Sequence, residues 1–203
     1  MQDQVLALLS VRTGHFRLES GHHGDLWLDL ETLCRRPRAV QALAAELAAR
    51  LAPLSLDAVC GPLVEGAFIA LLTASALDVE FTYAERFARP AEDGLFPAGY
   101  RIPSPLRAGL AGRRVGVVND VINAGSAVRG AVADLQACGA QVVAIASLLV
   151  LGEAAEALAG GLGVPLISLA RRPNRLWTPA LCPLCAAGAP LEDVADFAAS
   201  LPG

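Results

Sequence analysis

The sequence contains no lysine: all sixteen basic side chains are arginine, and a guanidinium does not give up its proton in a protein. Any reaction that needs an ε-amine as nucleophile or titrating base is thereby excluded. Charge of either sign is scarce, at 18% of residues with a net of -4, and no basic run is interleaved with aromatics. The long-range attraction that carries binding to a phosphodiester backbone is missing, so nucleic acid is not expected as a partner. The longest apolar runs stop short of the roughly 18 residues that argue a membrane span. The opening MQDQVLALLS lacks the basic flank of an export signal, so the expectation is a cytoplasmic protein with no membrane partner. Cys34, Cys60, Cys138, Cys182 and Cys185 form no even framework and read as reduced thiols.

What is present is material for a core. Apolar residues make up 54% of 203 positions, and no composition shift divides them, which predicts one domain over residues 1–203. A short helix is expected over 2–11, ended by Gly14. Short strands follow around Leu26–Leu30. From Pro37 to Leu51, Val40, Leu43, Ala44, Leu47 and Leu51 recur at helical spacing, and Pro37 suits a first turn. Strand candidates at Asp57–Cys60, Val79–Tyr83, Arg114–Val118, Val142–Val150 and Val164–Leu169 alternate with helical stretches at Gly66–Leu77, after Ser126, and near Glu153–Leu158. Such alternation predicts an α/β fold, a parallel twisted sheet with helices on both faces. Glu85 to Tyr100 is polar and broken by Gly and Pro, the pattern of a long mobile loop. Leu176–Gly188 reads as irregular and Leu191–Leu201 as a closing helix.

One junction stands out, Val115-Gly-Val-Val-Asn-Asp-Val-Ile-Asn-Ala-Gly-Ser-Ala-Val-Arg129. A buried strand opens through small polar residues into a helix, whose first N–H groups have no intrahelical partner and favour an anion. Gly125 lets the main chain come close, and Asn123 and Ser126 offer further donors. Asp120, at the strand's carboxyl end, is placed to accept from sugar hydroxyls. Spacing alone equally fits an ordinary strand-to-helix junction with a capping Asn.

The same segment resembles the phosphoribosyl diphosphate signature of type I phosphoribosyltransferases, in the form found in orotate phosphoribosyltransferases. Gly14-His15-Phe16 with Ser20-Gly21-His22 resembles their N-terminal substrate segment. Cys60 to Ala70 resembles their pyrophosphate loop, and Glu85–Tyr100 occupies the place of their flexible catalytic loop. The resemblance implies transfer of ribose 5-phosphate from phosphoribosyl diphosphate to a nucleobase, with Mg²⁺ as cofactor, a homodimer, and a small substrate hood built from residues 1–36 and the C-terminal segment. It implies that Asn119, Asp120, Asn123, Ala124, Gly125, Ser126 and Ala127 hold the ribose 5-phosphate. Gly61, Pro62 and Leu63 would shape the pyrophosphate turn, and Asp120, Arg86 and Arg89 would serve catalysis. No residue is assigned as a metal ligand.

The pattern also breaks. Asn119 stands where the signature carries its first acid, and Glu19 and Glu65 stand where orotate enzymes commonly carry Lys. Leu149-Val150-Leu151 replaces an Asp-Arg-like pair that would meet the orotate carboxylate, a loss on the order of 2–5 kcal/mol for that substrate. These departures keep open a second reading, a ribose-phosphate or nucleotide-binding regulatory module of the same fold. A dinucleotide-binding reading is set aside because no G-x-G-x-x-G run exists. Cys182-Pro-Leu-Cys185 has the spacing of half a zinc site, but two more ligands are needed and His15, His22 and His23 are far away in sequence, so a buried or redox-inert thiol pair is the expected reading. His22 suits either bonding a phosphate or base or a place on the surface, whereas His23 reads as a surface residue. Trp27 and Phe16 suit either stacking on a base or packing in the core.

Overall fold

From the N-terminus a short helix α1 (Gln2–Ala7) leads into antiparallel strands β1 (Ser10–Arg17) and β2 (His23–Asp29), then helix α2 (Pro37–Leu51). Strand β3 (Ala58–Pro62), helix α3 (Glu65–Leu77) and strand β4 (Glu80–Ala88) follow, with β5 (Ala98–Arg101) returning antiparallel on β4. After a helical turn α4 (Ser104–Arg107) come β6 (Arg114–Ile122), α5 (Ser126–Ala137), β7 (Gln141–Leu151), α6 (Ala154–Leu162) and β8 (Leu166–Arg172). Strand β9 (Leu176–Trp177), the turn α7 (Pro183–Ala186) and strand β10 (Glu192–Asp193) complete the chain as far as it is described. The computed structural model describes residues 2–30, 32–88 and 98–193.

The main sheet has the order β5-β4-β3-β6-β7-β8, parallel throughout except at the β5 edge. Its inner strands are apolar on both faces because helices cover both. On one face α1, α2 and α3 bury Val5, Val40, Leu47 and Ile69 against Val118 and Leu148. On the other, α5 and α6 bury Val128, Leu135 and Ala155 against Val115, Val117 and Ile145. Helix α2 has the bounds its apolar spacing predicts, with Leu47 and Leu51 fully buried; each such leucine contributes about 1.5–3 kcal/mol, enough to fix the helix on the sheet.

A second, smaller sheet has the order β10-β1-β2-β9. Its two edges come from the C-terminal segment and are only two residues long. Arg12 pairs with Glu192 at 2.7 Å and Arg17 with Asp193 at 2.9 Å, but the four side chains are largely open to solvent, where such pairs contribute at most about 1 kcal/mol.

Several expectations need correction. The first helix stops at Ala7, and Ser10 to Arg17 form β1, since cross-strand pairing with β2 decides the conformation of Val11 and Thr13. The expected loop at Glu85–Tyr100 begins and ends in strand, with Glu85 paired to Arg101 and Ala88 to Ala98; its tip, 89–97, lies outside the described residues. Strand β6 continues through Asn119 and Asp120 to Ile122. Within Leu176–Gly188, β9 and α7 are regular. Of the expected helix at Leu191–Leu201 only 191–193 are described, and they include β10. No helix among the described residues is long and apolar enough to cross a membrane.

Candidate active site

Strands β3 and β6 are neighbours, yet the chain leaves β3 toward one side of the sheet through α3 and β4, and leaves β6 toward the other through α5 and β7. Between two such strands the outgoing turns diverge and open a crevice at their carboxyl ends. A cleft of about 210 Å³ lies there, walled by Pro62–Gly66 after β3 and by Asn119–Val128 from β6 into α5. The small sheet closes it with Leu18, Glu19, Ser20, Trp27 and Leu30, and β5 adds Tyr100.

Asp120 is 4% exposed and its Oδ2 has no hydrogen-bond partner among the described residues. Burial pushes its pKa up from 3.8 to about 7; backbone donors at Val121 and Asp120 itself oppose this, and the nearby Glu65 carboxylate adds to it. A buried acid left in this state is poised for a donor or cation from outside the chain. Asn119, beside it, is also buried, and its Nδ2 donates to Val121 O at 2.8 Å.

Where β6 ends, Gly125 takes φ 78° and ψ 14° as the residue that precedes α5, and among the described residues no side chain caps the helix. The leading amides of α5 at Ser126 and Ala127 border the cleft, a ready anion site. Asn123 Oδ1 accepts from Asn174 Nδ2 at 2.6 Å, which leaves the amide group of Asn123 available as a donor. Ala124 is buried beneath the turn. On the opposite wall Pro62 and Leu63 line the cleft, and the Leu63–Val64 peptide is cis. Gly61 sits behind them, where a Cβ would lie 2.6 Å from both Ala70 Cβ and Gly66 O; its role is the close seat of α3 on β3.

Residues 27–159 match the family model of the phosphoribosyl transferase domain. The chain belongs to this family. Over 88% of its length it is 32% identical to the orotate phosphoribosyltransferase of Carboxydothermus hydrogenoformans, covering 87% of that protein. Among solved structures, the orotate phosphoribosyltransferase of Aeropyrum pernix is 26% identical with a TM-score of 0.60, matching 79% of this chain and 87% of its own. The adenine phosphoribosyltransferase of Thermoanaerobacter pseudethanolicus, at 17% identity and a TM-score of 0.66 over 85% of this chain and all of its own, shares the fold.

Against the phosphoribosyltransferase pattern, the departures seen in the sequence acquire positions. Glu19 accepts from the Tyr100 hydroxyl at 2.8 Å and lies 3.9 Å from Arg86 Nε, so it joins the small sheet to the β4–β5 hairpin across the rim of the cleft. Arg86 therefore faces a carboxylate of its own chain, and Arg89 lies outside the described residues. Leu149, Val150 and Leu151 are fully buried in β7. Every ionisable acid or base among the described lining residues, apart from the Tyr100 phenol, is an acid: Glu19, Glu65 and Asp120.

His22 Nδ1 lies 3.1 Å from Ser20 Oγ beside the cleft, and burial lowers its pKa. His23 is 4% exposed and not on the surface as expected. Trp27 borders the cleft, whereas Phe16 is core. The contacts of Asn174 and Tyr100 escape sequence reading because each reaches the site from a distant strand end, and neither residue type signals a partner by spacing.

Proposed function

We propose that this phosphoribosyltransferase moves ribose 5-phosphate from phosphoribosyl diphosphate to a ring nitrogen of a pyrimidine base of the orotate type. The observation that supports it is a conjunction in one cleft: leading amides of a twelve-residue helix, where a phosphate monoester fits, beside a buried carboxylate oxygen with no partner among the described residues. In this reading Asn123, Ala124, Gly125, Ser126 and Ala127 cradle the 5-phosphate and Asp120 accepts from the ribose hydroxyls. Displacement of pyrophosphate leaves positive charge at the anomeric carbon, and Asp120 is the carboxylate placed to face it. Pro62 and Leu63 shape the turn under the diphosphate, and the small sheet acts as a hood that, with Tyr100, keeps water from the reacting bond. Arg86 serves the leaving group by exchanging Glu19 for phosphate oxygens, and Arg89, outside the described residues, is proposed to act with it.

A divalent cation suits this wall. The Glu65 carboxylate raises the cost of ionising Asp120, and Asp120 has an oxygen to offer, the hard donor that Mg²⁺ takes. When bound with the diphosphate, Mg²⁺ would neutralise the charge that these acids otherwise repel.

Calorimetric titration with phosphoribosyl diphosphate and Mg²⁺, followed by pyrophosphate release with orotate, tests the reading. Saturable Mg²⁺-dependent binding and base-dependent release are expected, with an elevated KM for orotate because no cation among the described lining residues faces its carboxylate. Binding without release would select the regulatory module, which the all-acid lining favours; neither binding nor release would remove both. Pairing of two copies is part of the proposal. Helix α3 and its preceding residue present Val64, Phe68 and Leu71, 54%, 45% and 48% exposed, at helical spacing. Phe68→Glu is expected to shift the protein from dimer to monomer in sedimentation velocity, and an unchanged dimer would exclude this stripe.

A further inference from the structure

The fold brings two histidines of the small sheet to the two cysteines of the C-terminal segment. His15 Nε2 lies 3.1 Å from His23 Nδ1, 3.4 Å from Cys182 Sγ and 3.7 Å from Cys185 Sγ, and Cys185 Sγ lies 3.2 Å from His23 Nδ1. The four ligand atoms all fall within 4.8 Å of one another. Bond lengths of about 2.0–2.1 Å to nitrogen and 2.3 Å to sulfur require tetrahedron edges of roughly 3.3 Å between nitrogens and 3.6 Å between nitrogen and sulfur. The observed separations sit close to those edges.

Hydrogen bonding alone accounts poorly for the arrangement. His15 Nδ1 is 3.0 Å from the carbonyl of Ala189, an acceptor, so Nδ1 carries the proton and Nε2 presents a single lone pair. Three heavy atoms converge on that lone pair. A carbonyl behind the ring is the support that a metal-bound imidazole uses to fix its tautomer. His15, His23 and Cys182 are buried, both cysteines are free thiols, and Cys182 immediately precedes α7 while Cys185 lies within it. We propose that His15, His23, Cys182 and Cys185 form a structural zinc site.

The donor set points to zinc, since two thiolates and two imidazoles in a tetrahedron match its preference in both softness and geometry. All four positions come from the protein, so the ion has no open place for a substrate and its work is structural. It joins residues 167 and 170 positions apart and fastens the C-terminal segment to β1 and β2, beside the two-residue edges β9 and β10. Leu18, Ser20 and Trp27 of that same sheet line the cleft, so the ion would set the position of the hood.

Metal content is measured without any substrate, so its outcome is independent of the transfer reading. Protein purified without a metal-affinity step should carry about one zinc per chain by inductively coupled plasma mass spectrometry. Metal-free protein with reduced thiols, titrated with Co²⁺, should develop tetrahedral d–d bands and thiolate-to-cobalt charge transfer that saturate at about one equivalent. Cys182→Ser combined with Cys185→Ser should abolish both bands and the bound zinc. Should the doubly substituted chain fail to fold, the cobalt titration of the unsubstituted chain still decides. Folded, reduced protein that holds no stoichiometric zinc and gives no tetrahedral cobalt spectrum overturns the site, as does a spectrum that survives loss of both cysteines.

Discussion

Replacing Asp120 with Asn is expected to cost the transfer reaction roughly 10²–10³-fold in kcat, the loss usual when a preorganised electrostatic contact to a transition state is removed, while making the ligand-free protein more stable. Both effects come from one oxygen. Asp120 is buried with Oδ2 unpartnered among the described residues, and its carboxyl keeps its proton up to about pH 7 instead of 3.8, a difference that corresponds to roughly 4 kcal/mol. Between these values the unfolded chain has released a proton that the folded chain still holds, so stability falls as pH rises from about 4 to 7 and then levels. Asn carries no such proton. Thermal melts of the two proteins should nearly coincide at pH 4 and separate by several degrees at pH 8, the substituted protein melting higher, given about 2–4 °C per kcal/mol at this size. Parallel melting curves across that range would show that Asp120 is not the strained group, and unchanged turnover would remove it from the reaction.

Gly125→Val is the second large effect. A Cβ at this position would find its nearest neighbours, Ile122 Cγ2 and Leu158 Cδ2, at 3.9 Å, so the surrounding protein leaves room and the obstacle is the backbone. At φ 78° an L-residue pays about 1–2 kcal/mol, and a β-branched one is a genuine outlier there. The turn is expected to relax to negative φ, which rotates the leading amides of α5 away from the cleft. Affinity for ribose 5-phosphate should fall at least about a hundredfold, since two or three hydrogen bonds to a charged group are lost at roughly 1.5–3 kcal/mol each. Asn, which tolerates this conformation, should retain much more of the binding than Val. Equal affinity of the Val and Gly proteins, measured by calorimetry, would detach the anion site from this turn.

How far the sequence revealed these features differs from one element to another. Helix α2 was legible to the residue, because Pro37 at its start and an unbroken apolar stripe from Val40 to Leu51 admit no competing period. Strand β6 was read four residues short, since Asn119 and Asp120 look like turn residues; in the fold they are buried, and the Asn119 side chain satisfies the Val121 carbonyl. The start of strand β1, Ser10 and Val11, falls inside the expected helix for the opposite reason, local propensity giving way to pairing with β2. The turn from Asn123 to Ala127 was legible because its glycine and small polar residues are adjacent in the chain. The contact of Glu19 with Tyr100, and that of His15 with Cys182, were not, because they join positions 81 and 167 residues apart and no local pattern encodes such a meeting.

The adjacency of β3 and β6 has a consequence for how the protein comes to possess a binding site at all. Asp57 and Arg114, which bond across the start of that pair, are 57 residues apart, so the two walls can meet only after an excursion through α3, β4 and β5 has been closed. Closing such long loops is slow and is rewarded late. An excised β6–α5 peptide would carry the whole anion-binding sequence and still hold no ligand, because the opposite wall of the cleft comes from the turn after β3.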